Sequence, residues 1–170
     1  MNLADTIRNI PDFPKAGILF KDITTLLKDK NAFRQAAEEM AEKFKGQNID
    51  KVVAVEARGF ILGGVIAHVI GAGFIPVRKK GKLPSKTNSV TYDLEYGTDT
   101  LEIHHDAIEA GEKVLIVDDL LATGGTVKAV TDLVEQLKGE IAGIIFLIEL
   151  IDLKGRDKLK DYPVEALIKY

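Results

Sequence analysis

Two adjacent acids, Asp118 and Asp119, are followed a few residues later by the turn Thr123-Gly124-Gly125-Thr126. Glycines allow backbone N–H groups to converge on one point, and the two threonine hydroxyls are further donors. Such a turn is suited to holding a phosphate. The carboxylates beside it would repel a phosphate that faced them, so they are better suited to sugar hydroxyls or to an indirectly held metal. Together these residues indicate a site for a phosphorylated sugar.

The segments around this turn are predicted to be a buried strand and a helix. Val114-Leu115-Ile116-Val117 is apolar without alternation, which is typical of a strand buried on both faces. The turn therefore precedes a helix N-terminus, whose dipole adds about half a positive charge. The helix is indicated by four apolar residues at helical spacing and a following glycine: Val127, Val130, Val134, Leu137 and Gly139.

A strand, a glycine pair and a helix also occur together without any ligand, so the acids and threonines are what favour binding. Neither common nucleotide fingerprint is present. No Gly-Lys-Ser/Thr follows the turn, and Pro76 stands where a dinucleotide motif beginning at Gly71 needs its third glycine.

A second strand-to-helix turn is predicted at Glu56-Ala57-Arg58-Gly59, after the apolar run 52–55. In a parallel sheet both turns lie at the same edge, where α/β proteins bind ligands. Arg58 is suited to a bidentate grip on a phosphate. The alternative is a surface arginine paired with Glu56.

A third strand, Phe74-Ile75-Pro76-Val77, leads into the densest cationic run of the chain, which includes Arg78, Lys79 and Lys82. A charge run is usually a solvated face, but this one follows the carboxyl end of a strand. Pro76 predicts that the strand is an edge or ends there.

The remaining segments are less regular. Residues 2–9 predict a short helix, and the apolar, proline-containing segment 10–23 is either a tucked arm or the lining of an apolar pocket. Weak alternation over residues 85–103 predicts a mobile two-stranded flap. On sequence alone Glu95, at its centre, is a solvated acid.

Composition narrows the class of protein. The 170 residues predict one domain, and the formal net charge of −3 argues against non-specific nucleic-acid binding. The chain has no cysteine, so a disulfide framework and a thiolate metal site are excluded. No apolar run reaches the ~20 residues of a membrane span. We expect a cytoplasmic protein with no membrane or nucleic-acid partner.

Residues 114–126 resemble the phosphoribosyl-pyrophosphate motif of the type I phosphoribosyltransferases, and the wording Val-Asp-Asp-Leu-Leu-Ala-Thr-Gly-Gly-Thr is most similar to their adenine-specific members. The resemblance covers nearly the whole chain, with four motifs in the family's order. It implies an α/β fold: a mostly parallel twisted sheet flanked by helices, with an N-terminal hood (about residues 1–28) and a flap (about residues 81–104) on one domain, 1–170.

The resemblance also implies roles for individual residues. Catalysis would involve Glu95, Arg58, Asp118 and Asp119, and Tyr96 would be Glu95's neighbour in the closed flap. Three groups of residues would bind substrate: Ala122, Thr123, Gly124, Gly125 and Thr126 the 5′-phosphate; Arg58, Arg78, Lys79 and Lys82 the pyrophosphate; and Leu19, Phe20, Lys21 and Leu150 the adenine. Mg²⁺ would be held mainly through the substrate, with no direct protein ligand.

The implied reaction is purine salvage in a homodimer: phosphoribosyl passes from 5-phosphoribosyl 1-pyrophosphate to N9 of adenine, giving AMP and pyrophosphate. Two alternatives stay open. One is the same transfer to another purine base. The other is a non-catalytic regulator that senses phosphoribosyl pyrophosphate, although this chain lacks a basic face and a DNA-binding extension.

Overall fold

The computed structural model describes residues 1–94 and 96–170, and within them seven strands form one twisted sheet. The spatial order is β5-β6-β4-β3-β7-β8-β9, in which β4, β3, β7, β8 and β9 run parallel. This confirms the predicted α/β sheet. The strands are β3 (Lys51–Val55), β4 (Gly73–Lys79), β5 (Thr87–Asp93), β6 (Thr98–His104), β7 (Lys113–Leu121), β8 (Glu140–Glu149) and β9 (Val164–Lys169).

The central strand β7 is buried on both faces, as its unbroken apolar run predicted. Leu115 and Val117 belong to the core on one side of the sheet, and Val114 and Ile116 belong to the core on the other side. All four side chains are fully buried. Successive strand residues point to opposite faces, so a strand shared by two cores cannot alternate apolar with polar residues.

Helices cover both faces of the sheet. The helices are α1 (Thr24–Lys28), α2 (Lys30–Glu42), α3 (Arg58–Ile70) and α4 (Gly125–Gln136). Residues of α2 and α3 pack in one core, and residues of α4 pack in the other. Helix α2 begins where Asp29 accepts hydrogen bonds from the backbone N–H groups of Asn31 and Ala32. No helix in the described ranges is both long and apolar enough to cross a bilayer.

The N-terminal segment is a separate hairpin of β1 (Arg8–Pro11) and β2 (Leu19–Asp22). The helix predicted over residues 2–9 is wrong beyond Thr6, because only Leu3–Thr6 forms a 3-10 turn and Arg8 enters the hairpin. Arg8 donates to Asp22 at 2.5 Å across the two strands. Hydrogen bonds from Thr24 and Arg8 lower the pKa of Asp22 to about 2, so this pair is charged at neutral pH.

Strands β5 and β6 form an antiparallel hairpin, in register from Thr87 opposite His104 to Asp93 opposite Thr98. The hairpin extends from the edge of the sheet, since β6 pairs with β4 only at Arg78 and Lys79. The rest of β4, including Pro76, pairs with β3 alone. The edge strand or strand end predicted at Pro76 is therefore wrong, since β4 lies between β6 and β3 and continues to Lys79. The proline is tolerated because β6 does not pair with β4 at that residue.

Candidate active site

A cleft of about 430 Å³ lies at the carboxyl ends of β3 and β7, where α3 and α4 begin. Its lining consists of the two predicted turns, residues 55–59 and 118–127. Adjacent parallel strands end side by side, so turns that are 60 residues apart in sequence face the same space. The structure therefore brings Arg58, both aspartates and the glycine turn into one site.

The turn at residues 122–126, called here the phosphate loop, requires glycine for two reasons. Gly124 has a φ of +84°, in the left-handed region. A Cβ on Gly124 would also lie 2.5 Å from the carbonyl oxygen of Gly155. Helix α4 then begins at Gly125 without a side-chain cap. The first N–H groups of a helix have no partner within it, so the cleft receives donors and the positive end of a dipole.

The two aspartates occupy different environments, although they are neighbours in sequence. Asp119 is 7% exposed, and its Oδ2 accepts a hydrogen bond from Arg58 Nε at 2.5 Å. The Oδ1 of Asp118 accepts from the backbone N–H of Asp119 at 2.8 Å. Burial, together with the charge of Asp119, raises the pKa of Asp118 well above its usual range. Both aspartates line the cleft, and both are part of β7, which continues to Leu121.

Arg58 connects the acids to the N-terminal hairpin. Its guanidinium carbon lies 5.6 Å from the centre of the Phe20 ring, within the range of a cation–π contact. The alternative that paired Arg58 with Glu56 is wrong, since the guanidinium contacts Asp119. Arg58 is the first residue of α3, so its direction is set by the turn that precedes that helix.

Glu56 instead contacts the cationic run that begins at the end of β4. It accepts hydrogen bonds from Lys82 Nζ at 2.7 Å and from the backbone N–H of Lys79 at 2.8 Å, and it lies 3.4 Å from Arg78 Nε. Burial by itself raises the pKa of Glu56, but these donors lower it to about 2. Lys79 pairs with Asp99 at 3.2 Å, which raises the pKa of Lys79. The predicted pyrophosphate cations are thus beside the cleft, each facing an acid.

The side chains of Leu19, Phe20 and Lys21 lie in different surroundings. Phe20 packs edge-on against Phe13 at 5.1 Å and faces Arg58. Leu19 is half exposed. The side chain of Lys21 points elsewhere: its Nζ donates to Asn9 at 2.8 Å and lies 3.6 Å from the centre of the Tyr170 ring.

Leu150 and Tyr96 lie on elements other than the two turns that line the cleft. The backbone N–H of Leu150 donates to the carbonyl oxygen of Leu121 at 3.0 Å, which places Leu150 beside the end of β7. Tyr96 is 79% exposed on the connection between β5 and β6, and the Nζ of Lys15 lies 5.3 Å from its ring centre. The hood and the flap therefore meet at this pair. Glu95 lies outside the described residues.

Two residues that sequence reasoning missed contact the phosphate loop. A Cβ on Gly155 would lie 2.4 Å from the carbonyl oxygen of Ala122 and 2.7 Å from Leu121 Cδ1. The hydroxyl of Tyr92, on β5, lies 3.5 Å from the Thr126 hydroxyl. Both contacts are long-range, so no local pattern in the sequence indicated them.

The acidic side chains that line the cleft are Glu56, Asp118 and Asp119. Among the described residues, no three His, Cys, Asp or Glu side chains are grouped to hold a metal ion. Mg²⁺ commonly keeps several waters and uses one or two carboxylates together with substrate phosphates. Asp118 and Asp119, which line the cleft, could supply such carboxylates, directly or through water.

Comparison with known proteins gives one consistent family. The sequence profile described as "Phosphoribosyl transferase domain" matches residues 22–168. An adenine phosphoribosyltransferase of Clostridium perfringens (strain 13 / Type A) is 62% identical over 170 residues, covering 100% of this chain and 99% of the relative. The crystal structure of the Thermoanaerobacter pseudethanolicus adenine phosphoribosyltransferase superposes with a TM-score of 0.96 at 55% identity, covering 99% and 98% of the two chains.

A third comparison includes ligands. The adenine phosphoribosyltransferase of Saccharomyces cerevisiae, solved in complex with adenine and an imino-altritol bisphosphate, superposes with a TM-score of 0.90 at 42% identity. The alignment covers 95% of this chain and 94% of the yeast chain.

The packing around Gly155 leads to a prediction for Gly155→Ala. The added methyl group would overlap the Ala122 carbonyl, so the phosphate loop must shift. We expect affinity for ribose 5-phosphate to fall at least about tenfold, because misplacement of a binding group by ~1 Å is costly. Titration calorimetry measures this change. Gly64→Ala is the control, since a Cβ on Gly64 meets open space. Wild-type affinity in Gly155→Ala would show that the contact does not shape the loop.

Proposed function

The chain belongs to the phosphoribosyl transferase family, and we propose that it transfers phosphoribosyl from 5-phosphoribosyl 1-pyrophosphate to N9 of adenine, giving AMP and pyrophosphate. The observation that carries this proposal is the cleft between α3 and α4, in which a glycine loop at a helix N-terminus adjoins two aspartates and an arginine. The full-length similarity to adenine phosphoribosyltransferases supports the choice of base.

The phosphate loop is proposed to hold the 5′-phosphate of the sugar. The N–H groups at the start of α4 and the Thr123 and Thr126 hydroxyls are the donors for its oxygens. With its phosphate bound there, the sugar would place its ribose ring beside residues 118–119, which line the same cleft. Their carboxylates are proposed to accept hydrogen bonds from the ribose hydroxyls. Holding the sugar at both ends orients its reacting carbon for attack.

Departure of pyrophosphate leaves positive charge on the ribose ring, as in glycoside cleavage. Asp118 and Asp119 line the cleft where negative charge would compensate it. The leaving group itself is strongly negative. Arg58, Arg78, Lys79 and Lys82 are proposed to bind it, exchanging their present acidic partners for phosphate oxygens. Mg²⁺, when bound with the substrate, disperses phosphate charge.

The hood is proposed to form the adenine site. Phe20 offers a ring for stacking, held between Phe13 and Arg58, and Leu150 would cover the base from the end of β8. Main-chain groups near Leu19 and Lys21 would read the amino group and ring nitrogens, because the Lys21 side chain is engaged behind the hairpin. Glu95 would take or relay the purine proton, with Tyr96 beside it in a closed flap that excludes water.

A homodimer is supported by exposed apolar side chains on α3 and β4. Ile61 and Val69 lie two turns apart on α3 and are 42% and 50% exposed. Phe74, on the part of β4 that pairs with β3 alone, is 36% exposed. Apolar side chains beside an open strand edge favour a protein partner. Light scattering is expected to give about twice the chain mass of 18.6 kDa; a monomer at working concentrations would reject the dimer.

Base specificity is tested by supplying the purified protein with Mg²⁺, phosphoribosyl pyrophosphate and one free base at a time. We expect nucleotide formation with adenine at a kcat/KM well above that with hypoxanthine, guanine or xanthine. Preference for one of those bases would replace adenine as the substrate. Binding of phosphoribosyl pyrophosphate without any nucleotide formation would instead favour the regulator.

Two substitutions separate pyrophosphate binding from proton transfer. Arg58→Ala is expected to weaken pyrophosphate binding roughly tenfold or more, through loss of charge-assisted hydrogen bonds. Arg58→Lys keeps the charge and controls for exposure of Asp119.

Glu95→Gln is expected to lower kcat by ~100-fold or more with little change in phosphoribosyl pyrophosphate affinity. Unchanged pyrophosphate affinity in the first variant, or unchanged turnover in the second, would remove the assigned role.

A further inference from the structure

Lys158, on the turn after β8, lies close to the phosphate loop. Its Nζ lies 3.9 Å from the position that a Cβ on Gly125 would occupy. Gly125 is the first residue of α4, so this ammonium group stands beside the helix N-terminus. Lys158 is exposed and has no ion pair or hydrogen bond with any described residue, unlike Lys128, which pairs with Asp132, and Lys160, which pairs with Asp157.

The backbone that carries Lys158 is held firmly in place. Lys158 ends the 3-10 turn Gly155–Lys158, whose first residue packs against the phosphate loop. Arg156 donates to both carboxylate oxygens of Glu149, at 2.6 and 2.8 Å, and to the carbonyl oxygen of Val164 at 2.7 Å. Leu159 is 1% exposed in the core below. The anchored turn therefore fixes the position of the Lys158 backbone. The Lys158 side chain can still change its rotamer and so move its ammonium group relative to the phosphate loop.

This position is electrostatically unfavourable without an anion. A helix N-terminus carries about half a positive charge, and a lysine beside it adds a full one. Elsewhere around the cleft, Arg58, Lys79 and Lys82 each face a carboxylate. Among the described residues, no carboxylate lies within ion-pair distance of the Lys158 ammonium. A phosphate dianion on the loop would satisfy both the backbone N–H groups and this ammonium.

We propose that Lys158 is a further substrate-binding residue, whose ammonium contacts the 5′-phosphate from the side of Gly125. The proposal rests on the proposed function, because it takes the ligand of the loop to be a sugar 5-phosphate. The phosphate loop supplies hydrogen-bond donors and the helix dipole but no full charge. Lys158 would add a full positive charge on a flexible side chain. The loop sets the direction of the phosphate oxygens, and the lysine neutralises charge that the dipole leaves uncompensated.

The test compares two ligands in the full chain by calorimetry. In Lys158→Gln, affinity for ribose 5-phosphate is expected to fall roughly tenfold, the loss typical of one charge-assisted hydrogen bond. Affinity for pyrophosphate is expected to stay at the wild-type value, since that ligand uses the cations near Glu56. The KM for phosphoribosyl pyrophosphate should rise by a similar factor, with the KM for adenine unchanged.

Matched variants separate binding from structure. Lys158→Arg keeps the charge and is expected to recover most of the ribose 5-phosphate affinity. Lys160→Gln removes a charge two residues away that already pairs with Asp157, and is expected to bind both ligands normally. Equal ribose 5-phosphate affinity in wild type and Lys158→Gln, or equal losses for both ligands, would overturn the assignment.

The same measurements distinguish a failure of the activity from a failure of this inference. A wild type that binds ribose 5-phosphate but makes no AMP rejects the proposed reaction, and the ribose 5-phosphate titration still decides the role of Lys158. A wild type that binds no ribose 5-phosphate rejects both.

Discussion

The whole site depends on one close backbone contact, between the phosphate loop and Gly155. Gly124 and Gly155 approach so closely that a Cβ on either would overlap the main chain of the other segment. This contact joins the end of β7 to the turn after β8, so the loop is shaped by two neighbouring parallel strands. The glycine at residue 124 supplies the left-handed conformation, and the one at residue 155 supplies the space. A binding loop that relies on main-chain donors needs such external support, since its two central glycines have no side chains to pack.

Charge compensation is the second feature that organises the site. The acidic and cationic side chains around the cleft neutralise each other in two clusters, Arg58 with Asp119, and Glu56 with the end of β4. Each cluster is partly buried, where an unpaired charge would be costly. Substrate binding would therefore be an exchange of partners, in which phosphate oxygens replace carboxylates on the cations. The sugar hydroxyls would then find Asp119 released from Arg58.

Local signals in the sequence predicted the frame of the fold, and long-range contacts completed the site. The apolar run in β7 and the glycine turn that follows it are local patterns, and they gave the buried strand, the loop and the start of α4 correctly. The partner of Arg58 was not predictable, because Asp119 lies 61 residues away and Glu56 was the nearer acid. The contact of Gly155 with the phosphate loop and the contact of Lys21 with Tyr170 were not predictable for the same reason. The choice of adenine came from resemblance, since no local pattern encodes a main-chain reading of a base.

The most direct measurement of this account is a crystal structure of the protein with Mg²⁺ and phosphoribosyl pyrophosphate. We expect the 5′-phosphate within hydrogen-bonding distance of the N–H groups of residues 122–126, the ribose hydroxyls at Asp118 and Asp119, and Arg58 turned from Asp119 to the pyrophosphate. Sugar bound at any other surface, or a phosphate loop closed against the protein so that its N–H groups are unavailable, would contradict the account.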